Sequence, residues 1–102
     1  MHPEQAAHDA VDPDRWLDNE NPGSRLPEDA RHWIQVYTEL LAFKDKALAT
    51  AHHSLGGMSE EEARVEMAQT DLAVMEAERD RLRRHLDFWK QRHLDLTTPA
   101  TT

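Results

Sequence analysis

The 102-residue chain has no cysteine, which excludes disulfides, thiolate metal sites and cysteine nucleophiles. Its longest apolar run covers only residues 40–43, too short for a membrane span or a signal-peptide core, so we expect a cytoplasmic protein. With 38% hydrophobic and 31% charged residues, each helix can bury one stripe but the chain cannot build a thick core. The chain also lacks a serine in a nucleophile-elbow motif, a glycine-rich phosphate-binding loop and a repeated metal-ligand motif. We therefore expect no enzyme, no cofactor and no metal site.

Proline and glycine are nearly absent from the centre of the chain. Between residues 28 and 98 the only ones are Gly56 and Gly57. Because proline costs a helix interior about 3 kcal/mol and glycine about 1 kcal/mol, this scarcity permits two long helices separated at the glycines. The connection is short enough to bring the second helix back antiparallel, which predicts an all-α, coiled-coil-like hairpin.

Local signals at the helix ends agree with this division. Pro27 suits a first helical turn, and Ser59 followed by Glu62 matches a capping box. We therefore predict helices over about 27–54 and 59–96, with the capping box opening the second.

The residues before the hairpin are rich in loop-forming types and include a first-turn proline. We predict a short helical turn at about 13–18, packed at the open end of the hairpin. Residues 12–98 then form one domain, between mobile tails at 1–11 and 99–102. Three tryptophans are expected to meet at the open end: Trp16, Trp33 and Trp89.

Apolar residues recur every three or four positions along both predicted helices, as in a heptad seam. Arg79 interrupts the seam of the second helix, and we interpret it as a polar residue that fixes the register. If positions equidistant from the two glycines face each other, Arg79 lies near Tyr37 and Glu39.

A second, weaker apolar stripe lies away from the seam on each helix. Val36 and Phe43 are seven apart on the first helix, and Met67 and Val74 are seven apart on the second. Since a hairpin has one mutual interface, these stripes stay in water unless another molecule covers them. We therefore expect either a homodimer that completes a four-helix bundle or the docking of another, unidentified protein.

Charge is distributed unevenly along a chain whose net charge is −8. Six acidic residues and one basic residue lie in 58–77, whereas four acidic and six basic residues lie in 78–102. The basic residues spread around the second helix with acidic ones between them, so we do not expect nucleic-acid binding. A composition rich in alanine, arginine, aspartate and histidine but poor in lysine suggests a bacterial or phage source.

Acidic side chains cluster beside the glycines, at the predicted tip: Glu60, Glu61 and Glu62. In outline the hairpin resembles the antiparallel coiled-coil fingers of transcription factors that place an acidic tip in the RNA polymerase secondary channel. The resemblance covers the hairpin and lacks the second domain of those factors. It implies, as an alternative, a transcription-associated regulator that binds RNA polymerase or nucleic acid through the acidic tip or the basic end of the second helix. Our main expectation is a non-enzymatic protein–protein interaction module, an adaptor or small regulator, that acts through the second apolar stripe.

Overall fold

The computed structural model describes residues 15–99, which contain helices and loops but no strand. Helix α1 spans Pro27–Gly56. The second arm comprises α2 (Glu61–Met67), a π-helical segment (Ala68–Leu72) and α3 (Ala73–Thr97). The arms pack together in an elongated molecule of 62 × 27 × 27 Å, which confirms the expected all-helical chain with two long packed helices. Within the described part of the chain, no helix has both the length and the apolar character needed to cross a membrane.

Side-chain contacts show that the arms run antiparallel. Tyr37 Oη lies 3.0 Å from His85 Nδ1, and Lys44 Nζ lies 2.7 Å from Glu78 Oε2. Both pairs are symmetric about position 61, so the register centred on the two glycines is wrong. The physical reason is that residues 57–60 form the turn and α2 buries no side chain, so close packing starts late on the second arm.

The helix ends differ in part from the sequence prediction. Helix α1 begins at Pro27 and continues to Gly56. The second arm begins at Glu61 because Glu60, with extended backbone, occupies the N-cap position and no side chain caps the helix. The capping box of Ser59 and Glu62 is therefore not formed. Within residues 15–99 no glycine has a positive φ, so the turn does not depend on left-handed glycine.

Four buried apolar residues lie nearer the tip: Leu48, Leu72, Ala73 and Ala77. The main hydrophobic cluster lies toward the open end of the hairpin. Its buried members come from both arms: Ala30, Tyr37, Leu41, Leu82, Leu86 and Trp89. Partly buried side chains pack against them: Trp16, Leu17, Trp33, Ile34 and Phe88. The three tryptophans thus belong to one cluster, with Trp89 fully buried at its centre.

The π-helical segment changes the phase of the second arm. A π turn holds one residue more than an α turn, so α2 is rotated by about 100° from the position that an unbroken α-helix would give it. Thr70 Oγ1 donates a 2.7 Å hydrogen bond to the Glu66 carbonyl here, competing with the regular backbone ladder. Met67 and Val74 lie on either side of this segment, so the expectation that they share one stripe is wrong.

The residues before α1 form an irregular N-terminal strap (15–26) instead of a helical turn. Over 15–18, the described part of the predicted turn at 13–18, the chain is not helical. Glu20 N–H donates to the Leu17 carbonyl at 3.0 Å, and Asn19 takes the left-handed φ of 68° that this turn requires. Apart from Pro99, the predicted tails lie outside the described residues: 1–11 and 99–102.

Candidate interaction surface

A buried carboxylate fastens the strap to both arms. Glu20 is only 8% exposed, and its Oε1 accepts hydrogen bonds from Tyr37 Oη at 2.6 Å and from Leu17 N–H at 2.8 Å. Its Oε2 accepts from Trp89 Nε1–H at 2.6 Å. Because burying a carboxylate is costly unless donors surround it, these three bonds make Glu20 a specific anchor between strap, α1 and α3.

Tyr37 extends this anchor to the second arm. Its hydroxyl lies between Glu20 and His85, and the Trp16 ring lies on His85 with 4.3 Å between centroids. Burial, followed by the hydrogen bond to Glu20 and the negative charge of Glu20, raises the pKa of Tyr37, and Arg81 opposes the rise. Tyr37 therefore remains protonated and keeps donating to the carboxylate.

The Glu20, Tyr37 and His85 side chains could in principle transfer protons, but each is at least nine-tenths buried. The Trp16 ring lies on His85, and the Trp89 indole N–H donates to Glu20. We interpret the cluster as a clasp that holds the strap. Sequence reasoning missed it because a glutamate in an irregular segment carries no periodic signal.

Two arginines of α3 bind the strap backbone. Arg81 Nη1 donates to the Arg15 carbonyl at 3.3 Å, and Arg92 Nη2 donates to the Pro22 carbonyl at 3.0 Å. The Arg92 guanidinium also lies 5.4 Å from the Phe88 ring centroid. The strap therefore follows α3, with its residue 15 nearer the hairpin tip.

The strap marks one side of the hairpin. Three residues of α3 contact the strap: His85 and Phe88 contact Trp16, and Arg81 binds the strap backbone. Each of the three directly precedes a buried core residue in the sequence. One residue earlier means about 100° around the helix. In an antiparallel pair, equal offsets on the two helices lie on the same side of the hairpin. On α1 the corresponding residues, which we call the apolar flank, are Val36, Leu40, Phe43 and Ala47.

The apolar flank is covered at the open end and exposed beyond it. Phe43 is 71% exposed and Leu40 is 36% exposed, whereas Val36 and Ala47 are half-buried. Phe43 and Ala47 line a shallow hollow. Val74, on the second arm, is half-buried. Val36 and Phe43 thus lie on one side of α1, and the π-helical segment separates Met67 from Val74. That these four residues form one binding surface stays a prediction.

Arg79 does not occupy the predicted position. Symmetry about position 61 places it level with Phe43 and not beside Tyr37 and Glu39. Its Nη2 lies 3.5 Å from Asp80 Oδ1, and its buried Nε has no hydrogen-bond partner among the residues described. Polar pairs join the two arms at Tyr37 with His85, at Lys44 with Glu78 and, nearer the tip, at His52 with Glu76.

The predicted acidic tip is exposed to solvent. Glu60, Glu61 and Glu62 all lie on the surface, and α2 has no buried residue beneath them. Across residues 15–99, no three histidine, aspartate or glutamate side chains converge as metal ligands would. No family model matches this sequence, and no curated protein or solved structure is detectably similar to it.

Proposed function

We propose that this protein is a non-enzymatic protein–protein interaction module, an adaptor or small regulator, whose working surface is the apolar flank. The observation that carries the proposal is the 71% exposure of Phe43 on a stripe that also exposes Leu40. Burying one such side chain completely contributes about 1.5–3 kcal/mol to an association.

The spacing of the flank supports recognition by helix packing. Val36, Leu40 and Phe43 stand at positions i, i+4 and i+7 of α1, the arrangement by which a helix inserts its apolar face into a groove. The clasp at Glu20 holds the open end of the hairpin, so α1 presents this stripe on a preformed scaffold.

The proposal is tested by recovering bound proteins from native lysate with the wild-type chain and two variants. Phe43→Glu places a charge at the centre of the flank and should abolish recovery of the bound protein. Leu94→Glu is the matched control, because Leu94 is also a large apolar residue that is 56% exposed, but it lies on the other side of α3. Circular dichroism should show equal helix content in all three. Equal recovery by Phe43→Glu and Leu94→Glu would refute the proposal.

The alternative is a transcription-associated regulator that uses the acidic tip. It is favoured by α2, which buries no residue and exposes its glutamates at the end of a long hairpin. Replacing Glu60, Glu61 and Glu62 together with alanine separates the two functions. An interaction module keeps its partner in this variant and loses it in Phe43→Glu, whereas a regulator that acts through its tip shows the reverse.

A further inference from the structure

We infer that the apolar flank binds the same flank of a second copy of this chain, with the two hairpins antiparallel. The inference rests on the proposed function and names its partner. Shape, charge and area each support it.

The first support is the stepped shape of the molecule. The strap covers this side of the hairpin from the level of Arg92 to the level of Arg81, and the described residues leave the flank uncovered from there toward the tip. Among residues 15–99, the open-end half therefore carries one layer more than the half near the tip. An antiparallel second copy places the thin half of each molecule against the strap of the other. A parallel copy would stack strap on strap and hold the two exposed Phe43 side chains apart.

The second support is the charge gradient along the second arm. Residues 58–77 carry a net charge of −5, and residues 78–102 carry +2 with histidine neutral. Residues 15–30 lie at the same end as 78–102 and carry four acidic and two basic residues, a net −2, so the open end is close to neutral while the tip is acidic. Antiparallel copies therefore bring the acidic tip of each molecule to the nearly neutral end of the other. Parallel copies would place like charges side by side, which costs free energy over distances up to about one Debye length, roughly 8–10 Å. On the strap side this end exposes Arg15, Arg84 and Asp18.

The third support is the available area. A molecule 62 Å long and 27 Å wide presents a face of roughly 1,700 Å² in projection, and a standard stable interface needs about 800 Å² from each partner. Contact over half of the face is therefore sufficient, and Phe43 lies within the part that the strap leaves open.

Charge reversal tests the orientation by sedimentation equilibrium of the full chain. The tip variant combines Glu62→Lys with Glu66→Lys, and the end variant combines Arg15→Glu with Arg84→Glu; all four side chains are exposed. We expect wild-type protein to sediment as a dimer of the 11.8 kDa chain, and each variant alone to dimerise at least about tenfold more weakly.

An equimolar mixture of the tip and end variants should restore dimerisation, because each reversed segment then meets a segment of opposite charge. The matched control is Arg83→Glu with Lys90→Glu, which makes the same charge change as the end variant on the other side of α3. The control should dimerise like the wild type. Full affinity of the tip variant alone, or no recovery on mixing, would overturn the antiparallel arrangement.

A photo-crosslinking amino acid at position 43 identifies what covers the flank. Cross-links between two copies support the inference. Cross-links from position 43 to residues 1–14 of the same chain overturn it, as does a wild-type chain that remains monomeric at the highest soluble concentration. A monomer that captures a different protein, and loses it in Phe43→Glu, would overturn the second copy as partner and leave the proposed function intact.

Discussion

Replacing Glu20 with glutamine should destabilise the fold far more than a single charge removal on the surface. The three donors around the carboxylate, from Leu17, Tyr37 and Trp89, lie 2.6–2.8 Å from its two oxygens. A glutamine has only one oxygen, so in either orientation its NH₂ group faces the indole N–H or the Leu17 backbone N–H, neither of which can accept a hydrogen bond.

The magnitude follows from the number of bonds affected. A hydrogen bond to a charged group contributes about 1.5–3 kcal/mol, and a buried donor left without an acceptor costs a further 1–3 kcal/mol or so. Since relaxation recovers part of this loss, we expect Glu20→Gln to lower the free energy of unfolding by about 2–4 kcal/mol, a large fraction of the roughly 5–15 kcal/mol that stabilises a domain.

Urea unfolding followed by tryptophan fluorescence measures this loss, because all three tryptophans lie in the cluster that Glu20 joins. With a slope of about 1–2 kcal/mol/M, the midpoint should fall by roughly 1–4 M at a fixed protein concentration. Asp18→Asn is the matched control, since Asp18 is an exposed acid on the same strap, and it should change stability by less than about 0.5 kcal/mol. If Glu20→Gln shifts the midpoint no more than Asp18→Asn does, the clasp does not hold the strap.

Three further predictions concern the same scaffold. Because the pKa of Tyr37 is raised above its ordinary value of 10.0, the folded chain keeps a proton that the unfolded chain loses at high pH. Below pH 10.0 the ionisation of Tyr37 should therefore leave the free energy of unfolding unchanged, and above pH 10.0 the free energy should fall as the pH rises. The control is Tyr37→Phe, which removes the only tyrosine: its urea midpoint should not show the fall that Tyr37 causes in the wild type. The ion pair of Lys44 and Glu78, whose side chains are 18% and 38% exposed, should show a coupling free energy below about 1 kcal/mol in a double-mutant cycle with alanine; a larger value would show that solvent does not screen this pair. At Asn19, with φ of 68°, alanine should cost about 1 kcal/mol in thermal or urea unfolding while glycine should be nearly neutral; equal effects would contradict the turn geometry.

The secondary structure was largely predictable because its signals are local. The scarcity of proline and glycine after Pro27 and the recurrence of apolar residues every three or four positions specify two long helices without any knowledge of their packing. The position of Phe43 off the main seam was likewise evident from its angle around the helix, and its exposure in the folded chain agrees with that position.

Tertiary structure decided the register, the clasp and the phase of α2. Register depends on where the two arms first touch, and the failure of α2 to bury a side chain moved the centre of pairing from the glycines to position 61. Glu20 became an anchor only because the fold brings donors from α1 and α3 to one point of the strap. The π-helical segment rotated Met67 away from the Val74 stripe. Each of these outcomes depends on contacts between residues far apart in the chain or on competition within the backbone, whereas helical periodicity reports only which side chains share a face of an unbroken helix.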